Sequence, residues 1–477
     1  MFLQRFRERL VLLLIVLLPF HAFLVTAGTK ILEGPGHAPL GWLAVWKEGL
    51  LGIVLLIALL EIVVRGVEWK MENGKWKMPR FDAIDVLIVV FLALGSIVSI
   101  FHFPFSIAHF LYGFKYDFLP LTVFLVLRRV HWSAAFGGKA SQFLIGIGAI
   151  VVLLGLVMFL LPQRAFEWLG YSAMHSLYVP GGSLAAFQQI GGTVLRRMQS
   201  VMSGPNQLGL WLLLPFSFVL ASLRHGEKPP HQAIFGFLLL FGAGILLTFS
   251  RAALLAAFLL VCVTFLNVGE HWNWRKLLPS IGAVAVLLLV VVFSFPDVFL
   301  RAASSRDHFL RPLDAVQTIV RHPFGLGLGT AGPASNRTSD ACVYLPVDGD
   351  ASWAEGNASL CVFLGETQVL PIDRECRCPF LPENWYLQIG VELGIVGFTL
   401  FITLVLLMLR MLRMKNGKWK IENARFATYL AFLGVSIAAL FLHAWEDSAV
   451  AYTLWILAAT VLRPRIRSYA AGGIASS

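Results

Sequence analysis

Apolar residues run through this chain in continuous stretches of about 20, separated by short polar and basic connections. Lipid offers no partners for backbone N–H and C=O groups, so a spanning segment must satisfy them internally, as a helix or as a strand of a closed barrel. The stretches here are continuous rather than alternating, which selects helices. They predict spans at roughly 10–27, 41–64, 83–102, 116–130, 140–162, 205–223, 233–249, 252–268, 277–295, 384–409, 427–444 and 448–462. Two long segments fall between spans, about 163–204 and about 296–383. The second is too polar and irregular to span, with glycine and proline as in His322-Pro-Phe-Gly-Leu-Gly-Leu-Gly-Thr330. Inside it, Asp307 to Val320 places Phe309, Leu310, Leu313, Val316 and Ile319/Val320 roughly on one face, which suits a helix lying on a membrane surface. The expected fold is all-α: a polytopic membrane helical bundle of about twelve spans. It divides into an N-terminal bundle (1–295), a large extracytoplasmic loop (296–383) and a C-terminal set of spans with a tail (384–477).

Composition agrees with a membrane class: 58% of the 477 residues are hydrophobic, only 14% are charged, and the mean hydropathy is +0.76. The formal net charge of +11 would suggest nucleic acid in a soluble chain. Here the basic residues are scattered over short connections rather than gathered in a patch, which excludes that partner. They fix orientation instead. With the N-terminus inside, the inner loops hold Arg65, Lys70, Lys75, Lys77 and Arg80; Arg128, Arg129 and Lys139; Arg224 and Lys228; Arg275 and Lys276; and Arg410, Arg413, Lys415, Lys418, Lys420 and Arg425. The tail adds Arg463, Arg465 and Arg467, so both termini are expected in the cytoplasm. Arg5, Arg7 and Arg9 before the first apolar run mimic a signal peptide, but no small-residue cleavage site precedes spanning length, and an uncleaved span is expected.

A local repeat, Met71-Glu-Asn-Gly-Lys-Trp-Lys-Met78 and Met414-Lys-Asn-Gly-Lys-Trp-Lys-Ile421, falls in two inner loops and reads as a tolerated insertion or a headgroup-facing pair. The half-to-half repeat of many transporters is not visible. Of the cysteines, Cys262 sits in a span; Cys342, Cys361, Cys376 and Cys378 lie in the large outer loop and suggest two disulfides of open connectivity. Cys376-Arg-Cys378 has the wrong spacing for zinc, with no histidine close by. Asp348-Gly-Asp350 reads as solvated rather than as a metal motif.

Three outward constellations carry candidate chemistry, because ionisable groups beside a membrane are costly. Arg196-Arg-Met-Gln-Ser-Val-Met-Ser-Gly-Pro-Asn206 leads into a span, with Pro205 suited to its first turn. Guanidinium pairs match phosphate oxygens, or else bind lipid headgroups. Phe249-Ser-Arg251-Ala-Ala puts one arginine at a tight outer turn between two spans. Glu383-Asn-Trp-Tyr-Leu-Gln388-Ile-Gly-Val-Glu392 closes the large loop; Asn384 is a cap, Gln388 and Glu392 share a helix face, and Tyr386 is near. Arg306 and His308 open the surface helix, where a headgroup could lie.

Four segments resemble the O-antigen ligase and polymerase superfamily, the membrane proteins that transfer polyprenyl-diphosphate-linked glycans. They are Arg197 through Pro205-Asn206, Ser250-Arg251-Ala-Ala, the His322-Pro-Phe-Gly-Leu-Gly-Leu-Gly loop and Glu383-Asn-Trp-Tyr-Leu-Gln-Ile-Gly-Val-Glu-Leu-Gly. The resemblance covers about residues 140–460. It implies a metal- and cofactor-independent glycosyltransferase of the C type at the outer face of a bacterial plasma membrane. Its partners would be a polyprenyl-diphosphate-linked oligosaccharide donor, a lipid or glycan acceptor, and membrane lipids. By motif spacing Arg197 and Arg251 would hold the donor diphosphate and Glu383 would act on the acceptor; Arg196, Asn206, Arg306, His308, Tyr386 and Gln388 would line the substrate. In the ligases the position of Glu383 is usually histidine, so ligase, polymerase and protein-glycan transferase all stay open. A secondary transporter or lipid-linked glycan flippase is the competing class, with Glu48, Glu61 and Glu392 as its ionisable candidates; a non-catalytic scaffold is a third.

Overall fold

The computed structural model describes residues 2–35, 37, 39–68, 81–101, 106–172, 188–190, 195–223, 231–268, 302–345, 347–354, 360–413 and 419–463. The expected span 277–295, the first copy of the tryptophan–lysine repeat, most of the second and the side chain of Arg306 lie outside them. Among the described residues five helical stretches are long and apolar enough to cross a membrane: Phe2–Glu33, Ala83–Phe101, Ile107–Leu127, Phe136–Leu160 and Trp385–Leu412.

The first stretch is not a single helix. Helix α1 (Phe2–Leu17) passes through a 3₁₀ turn at Leu18–Phe20 into α2 (His21–Glu33), because Pro19 lacks the N–H that a continuous helix needs. Two helices follow, α3 (Gly41–Ala44) and α4 (Trp46–Glu68). Next come α5 (Ala83–Phe101), α6 (Ile107–Gly113) and α7 (Leu119–Leu127), the last two joined by a π turn at Phe114–Phe118. This span begins earlier than its expected start near 116. The polar Lys115 and Asp117 that delay the apolar pattern are housed in the π turn, where Lys115 pairs with Glu48 at 3.1 Å. Helix α8 (Phe136–Leu160) and the short α9 (Gln163–Trp168) lead to the segment before α10 (Pro205–Ser222).

Helices α10 (Pro205–Ser222), α11 (His231–Leu247) and α12 (Arg251–Val268) come next, then α13 (Ala302–Arg321) and α14 (Gly332–Ser335) in the loop. The chain ends in α15 (Trp385–Leu412), α16 (Trp419–Ala438) and α17 (Ser448–Val461). Helices α10 and α17 are apolar on all sides and buried almost throughout, which makes them the centre of the bundle. α16 packs between them, so residues 439–447 run over the bundle end as turns rather than finishing a span at 444.

Two buried ionic staples fasten one end. Arg7 donates from Nε to Glu61 (3.0 Å) and from one Nη to the His131 carbonyl (2.5 Å), with its guanidinium 4.3 Å from the Trp132 ring centroid. Arg128 bridges Asp82 (2.5 Å) and Asp85 (2.9 Å), and Arg129 adds a second contact to Asp85 (3.0 Å). These pairs absorb Glu61, which an ion-coupled transporter would need free. Removing one partner strands a buried charge. Arg7→Met is therefore expected to destabilise the bundle by about 3–5 kcal/mol; most of that returns in Arg7→Met/Glu61→Met, read by thermal unfolding in detergent.

The large loop departs from the all-α expectation. It carries a three-stranded sheet: β3 (Ala341–Leu345) runs parallel to β4 (Leu360–Leu364), which pairs antiparallel with β5 (Thr367–Leu370). A further pair, β1 (Gln188–Gln189) with β2 (Arg196–Arg197), lies in the segment between α9 and α10. Valine, leucine and aromatic residues in short runs favour strands; between long apolar spans that signal is easily hidden. The disulfides Cys342–Cys378 and Cys361–Cys376 pin the sheet to the chain that returns to the bundle. Asp340, Cys361 and Cys376 lie close together, but both sulfurs are committed to bonds and offer no thiolate to a metal. Replacing Cys342 and Cys378 by serine is expected to cost this subdomain about 2–5 kcal/mol, seen as faster proteolysis between residues 340 and 380.

Helix α13 is longer than expected and its apolar face is open: Phe309 is 67% and Val320 71% exposed. Ile319 belongs to the opposite face, buried with Ala315 against Val391 of α15. An exposed apolar stripe on a helix docked by its other side fits a membrane-surface position.

Candidate functional site

The two arginine segments are joined. β2 pairs with β1 in the register Gln188↔Arg197, and successive strand residues face opposite ways, so Arg196 and Arg197 diverge. Arg196 donates to the Leu161 carbonyl (3.2 Å). Arg197 turns inward and is only 8% exposed. Its Nε donates to the Thr248 carbonyl (2.9 Å), one Nη to Gln188 Oε1 (3.3 Å) and the other to Asn206 Oδ1 (2.8 Å). The Met198 amide adds a bond to the Leu247 carbonyl (2.9 Å). Residues 197–198 are thus fastened to the end of α11, and the turn that follows delivers Arg251 as the first residue of α12. In that turn Phe249 has φ 50°, and the Ser250 amide donates to Thr248 Oγ1 (3.1 Å). The Thr248, Gln188 and Asn206 acceptors are neutral oxygens that orient the Arg197 guanidinium. Asn206 serves here as a holder of Arg197. A small pocket opens against Arg196, Arg197, Gln199, Ser200, Met158 and Phe166.

Glu383 stands at the head of α15. The helix starts there because Asn384 caps it, accepting from the Leu387 amide (3.0 Å) while its own amide donates to the Leu440 carbonyl (2.9 Å). Glu383 itself has φ 54°, unusual for a residue with a side chain. Its carboxylate takes Arg311 of α13 at 2.7 Å and His308 at 3.7 Å. The ion-pair partners of Glu383 among the described residues are therefore on α13 rather than Arg197 or Arg251. Tyr386 is buried and donates to the Ser436 carbonyl (2.8 Å), which makes it a strut between α15 and α16.

Gln388 is fully buried, and its amide bridges two residues of the turn between α16 and α17. Nε2 donates to Glu446 Oε1 and Oε1 meets His443 Nδ1, both at 2.6 Å. Burial, and after it the nearby Asp117 carboxyl, pushes Glu446 well above the usual carboxylate range. Burial, followed by the positive charges of Arg311 and His308, pushes the His443 ring down and keeps it neutral.

One helical turn deeper, α15 is broken. Gly394 adopts φ 69°, ψ −169°, roughly 14 Å from the helix start at 1.5 Å per residue. The glycine-rich loop enters this break. The Leu326 and Gly327 amides donate to the Val391 and Glu392 carbonyls (both 2.9 Å), and the Ile395 amide returns a bond to the Pro323 carbonyl (3.0 Å). Glu392 Oε1 then accepts from the Gly329 (3.0 Å) and Ala331 (3.2 Å) amides, and the Leu328 amide donates to Ser99 Oγ (2.9 Å). Asp117, from the π turn, meets the Glu392 carboxyl. Two of the motif segments quoted from the sequence are thus one object, a loop plugged into an interrupted helix.

Arg311, His443, Glu446 and Asp117 were not singled out from the sequence. A usable signal for two of them was the charged and polar run His443-Ala-Trp-Glu446-Asp447 between two apolar stretches. No known protein-family model matches the chain, and no curated protein is significantly similar to it.

Proposed function

We propose that this protein is a membrane glycosyltransferase acting on polyprenyl-diphosphate-linked glycans at the outer face of a bacterial plasma membrane, resembling the O-antigen ligases and polymerases. In this reading the fold is a C-type bundle of about twelve spans with both termini cytoplasmic. The observation that carries it is the bond from Arg197 Nε to the Thr248 carbonyl, which ties the first arginine to the turn carrying the second. Breaking a sugar–diphosphate bond builds negative charge on the leaving diphosphate. A guanidinium oriented as that of Arg197 is, by the Thr248, Gln188 and Asn206 oxygens, stabilises that charge without reorganising. Guanidinium groups would supply the neutralisation that a metal gives in many soluble glycosyltransferases. Glu383, with Arg311 and His308, marks the acceptor end, where the attacking hydroxyl must lose its proton.

A transporter or flippase is the second reading, favoured by the interrupted α15 with Glu392 and Asp117 buried beside the break, a pattern in which transporters bind ions and substrates. One experiment separates them. Purified protein in liposomes receives a polyprenyl-diphosphate oligosaccharide in the presence of EDTA. Longer lipid-linked chains support a polymerase, transfer to added lipid A core a ligase, and transfer to an added acceptor protein a protein-glycan transferase. Movement of intact donor across the bilayer without new glycosidic bonds supports the flippase.

A further inference from the structure

His443 has an arrangement that bundle packing does not call for. Its Nδ1 is 2.6 Å from Gln388 Oε1. Gln388 Nε2 donates to Glu446, so the atom facing His443 is the acceptor Oε1, and in this arrangement Nδ1 carries the proton. The neutral ring then presents a lone pair at Nε2. That nitrogen is enclosed and has no hydrogen-bond partner among the described residues. Buried polar atoms are nearly always paired, so an orphan acceptor calls for a reason, and a catalytic role is one. His443 also lies within electrostatic reach of Arg311 and His308, the two groups that hold Glu383. Glu383, by contrast, already has its carboxylate occupied by Arg311 at 2.7 Å and His308 at 3.7 Å.

We propose that His443 Nε2, rather than Glu383, is the proton acceptor at the acceptor end of this site, with Gln388 and Glu446 as the residues that position it. The inference rests on the transferase reading and changes its base. As the acceptor oxygen forms its bond to the anomeric carbon, the hydroxyl proton passes to Nε2. The bond from that carbon to the diphosphate oxygen breaks, and its electron pair leaves with the polyprenyl diphosphate. The imidazolium then returns its proton to the departing diphosphate or to water. Glu383 keeps Arg311 and His308 in place around the acceptor.

The test uses the full chain in nanodiscs with lipid-linked oligosaccharides extracted from the cells that make it. His443→Asn is expected to lower kcat by about a hundredfold to ten-thousandfold with KM within about threefold. Glu383→Gln is expected to raise the acceptor KM while keeping kcat within about tenfold. The reverse split, or a His443→Asn enzyme with kcat within threefold of the parent, overturns the assignment. A second measurement does not need transfer. In ¹⁵N-histidine spectra the signals missing from His443→Asn identify this ring, and the parent must show the Nδ1–H neutral form. An Nε2–H tautomer or a doubly protonated ring at pH 7 overturns the proposal even if no donor is turned over. Absence of all transfer together with the expected tautomer would count against the transferase reading alone.

Discussion

Gly394→Ala is expected to prevent the protein from accumulating in folded form, at a cost of at least about 3 kcal/mol. The backbone at Gly394 lies at φ 69°, ψ −169°, a region open almost only to glycine. A Cβ there would run into the Pro323 carbonyl oxygen and would stand 2.7 Å from the Phe324 carbonyl carbon. Both atoms belong to the loop that fills the helix break, so relief would require expelling that loop. Doing so would orphan the Leu326, Gly327 and Ile395 amides and the two amides on Glu392 in one step. Gly325→Ala should behave in the same way, since its Cβ would meet the Glu392 carbonyl. Gly138→Ala in α8, where nothing lies near, is the matched control and should be neutral or slightly stabilising. Fluorescence-detected size exclusion and melting of the three variants in detergent check this directly.

The second large effect is chemical. Arg197→Ala and Arg251→Ala are each expected to lower transfer from a lipid-linked donor by at least about a hundredfold, the scale of losing one preorganised group at a developing oxyanion. Asn206→Ala should cost less, about tenfold, because Arg197 keeps its bonds to Thr248 and Gln188. The double variant of the two arginines should lose little more than either alone, as expected of groups that act together on one diphosphate. Melting temperatures measured alongside separate these losses from unfolding. This control matters most for Arg197, whose bonds also tie β2 to α11.

Much of this molecule was legible in the sequence for a simple reason. Lipid forces helices of nearly fixed length, so Ala83–Phe101, Phe136–Leu160 and Trp385–Leu412 stand out from apolar runs alone. The same rule explains the errors. At Phe114–Phe118 polar residues interrupt the run while the backbone continues as a π turn, and at Ala438 the helix ends although the apolar run goes on to Leu442. The sheet of the large loop was hidden because its five-residue strands carry no long-range pattern. In the site, Arg197, Arg251 and Glu383 could be picked out as charges placed where charge is costly. Their partners could not: Arg311 sits in an amphipathic helix where an arginine is unremarkable, and the meeting of Gln388 with His443 is a tertiary event across |i−j| = 55. Glycines in His322–Thr330 and at Gly394 were visible as motifs, but only the structure shows that each leaves room for the other's backbone.

On the proposed reading the Arg197–Arg251 end holds a polyprenyl diphosphate. Photo-crosslinking with a diazirine-bearing polyprenyl diphosphate, followed by peptide mapping, tests it most directly. Adducts within residues 196–206 and 248–255, suppressed by excess inorganic pyrophosphate and lost in Arg251→Ala, are the result expected. Adducts confined to the break around Glu392 and Asp117, unchanged by Arg251→Ala, would contradict it and would favour a transport path through the interrupted helix.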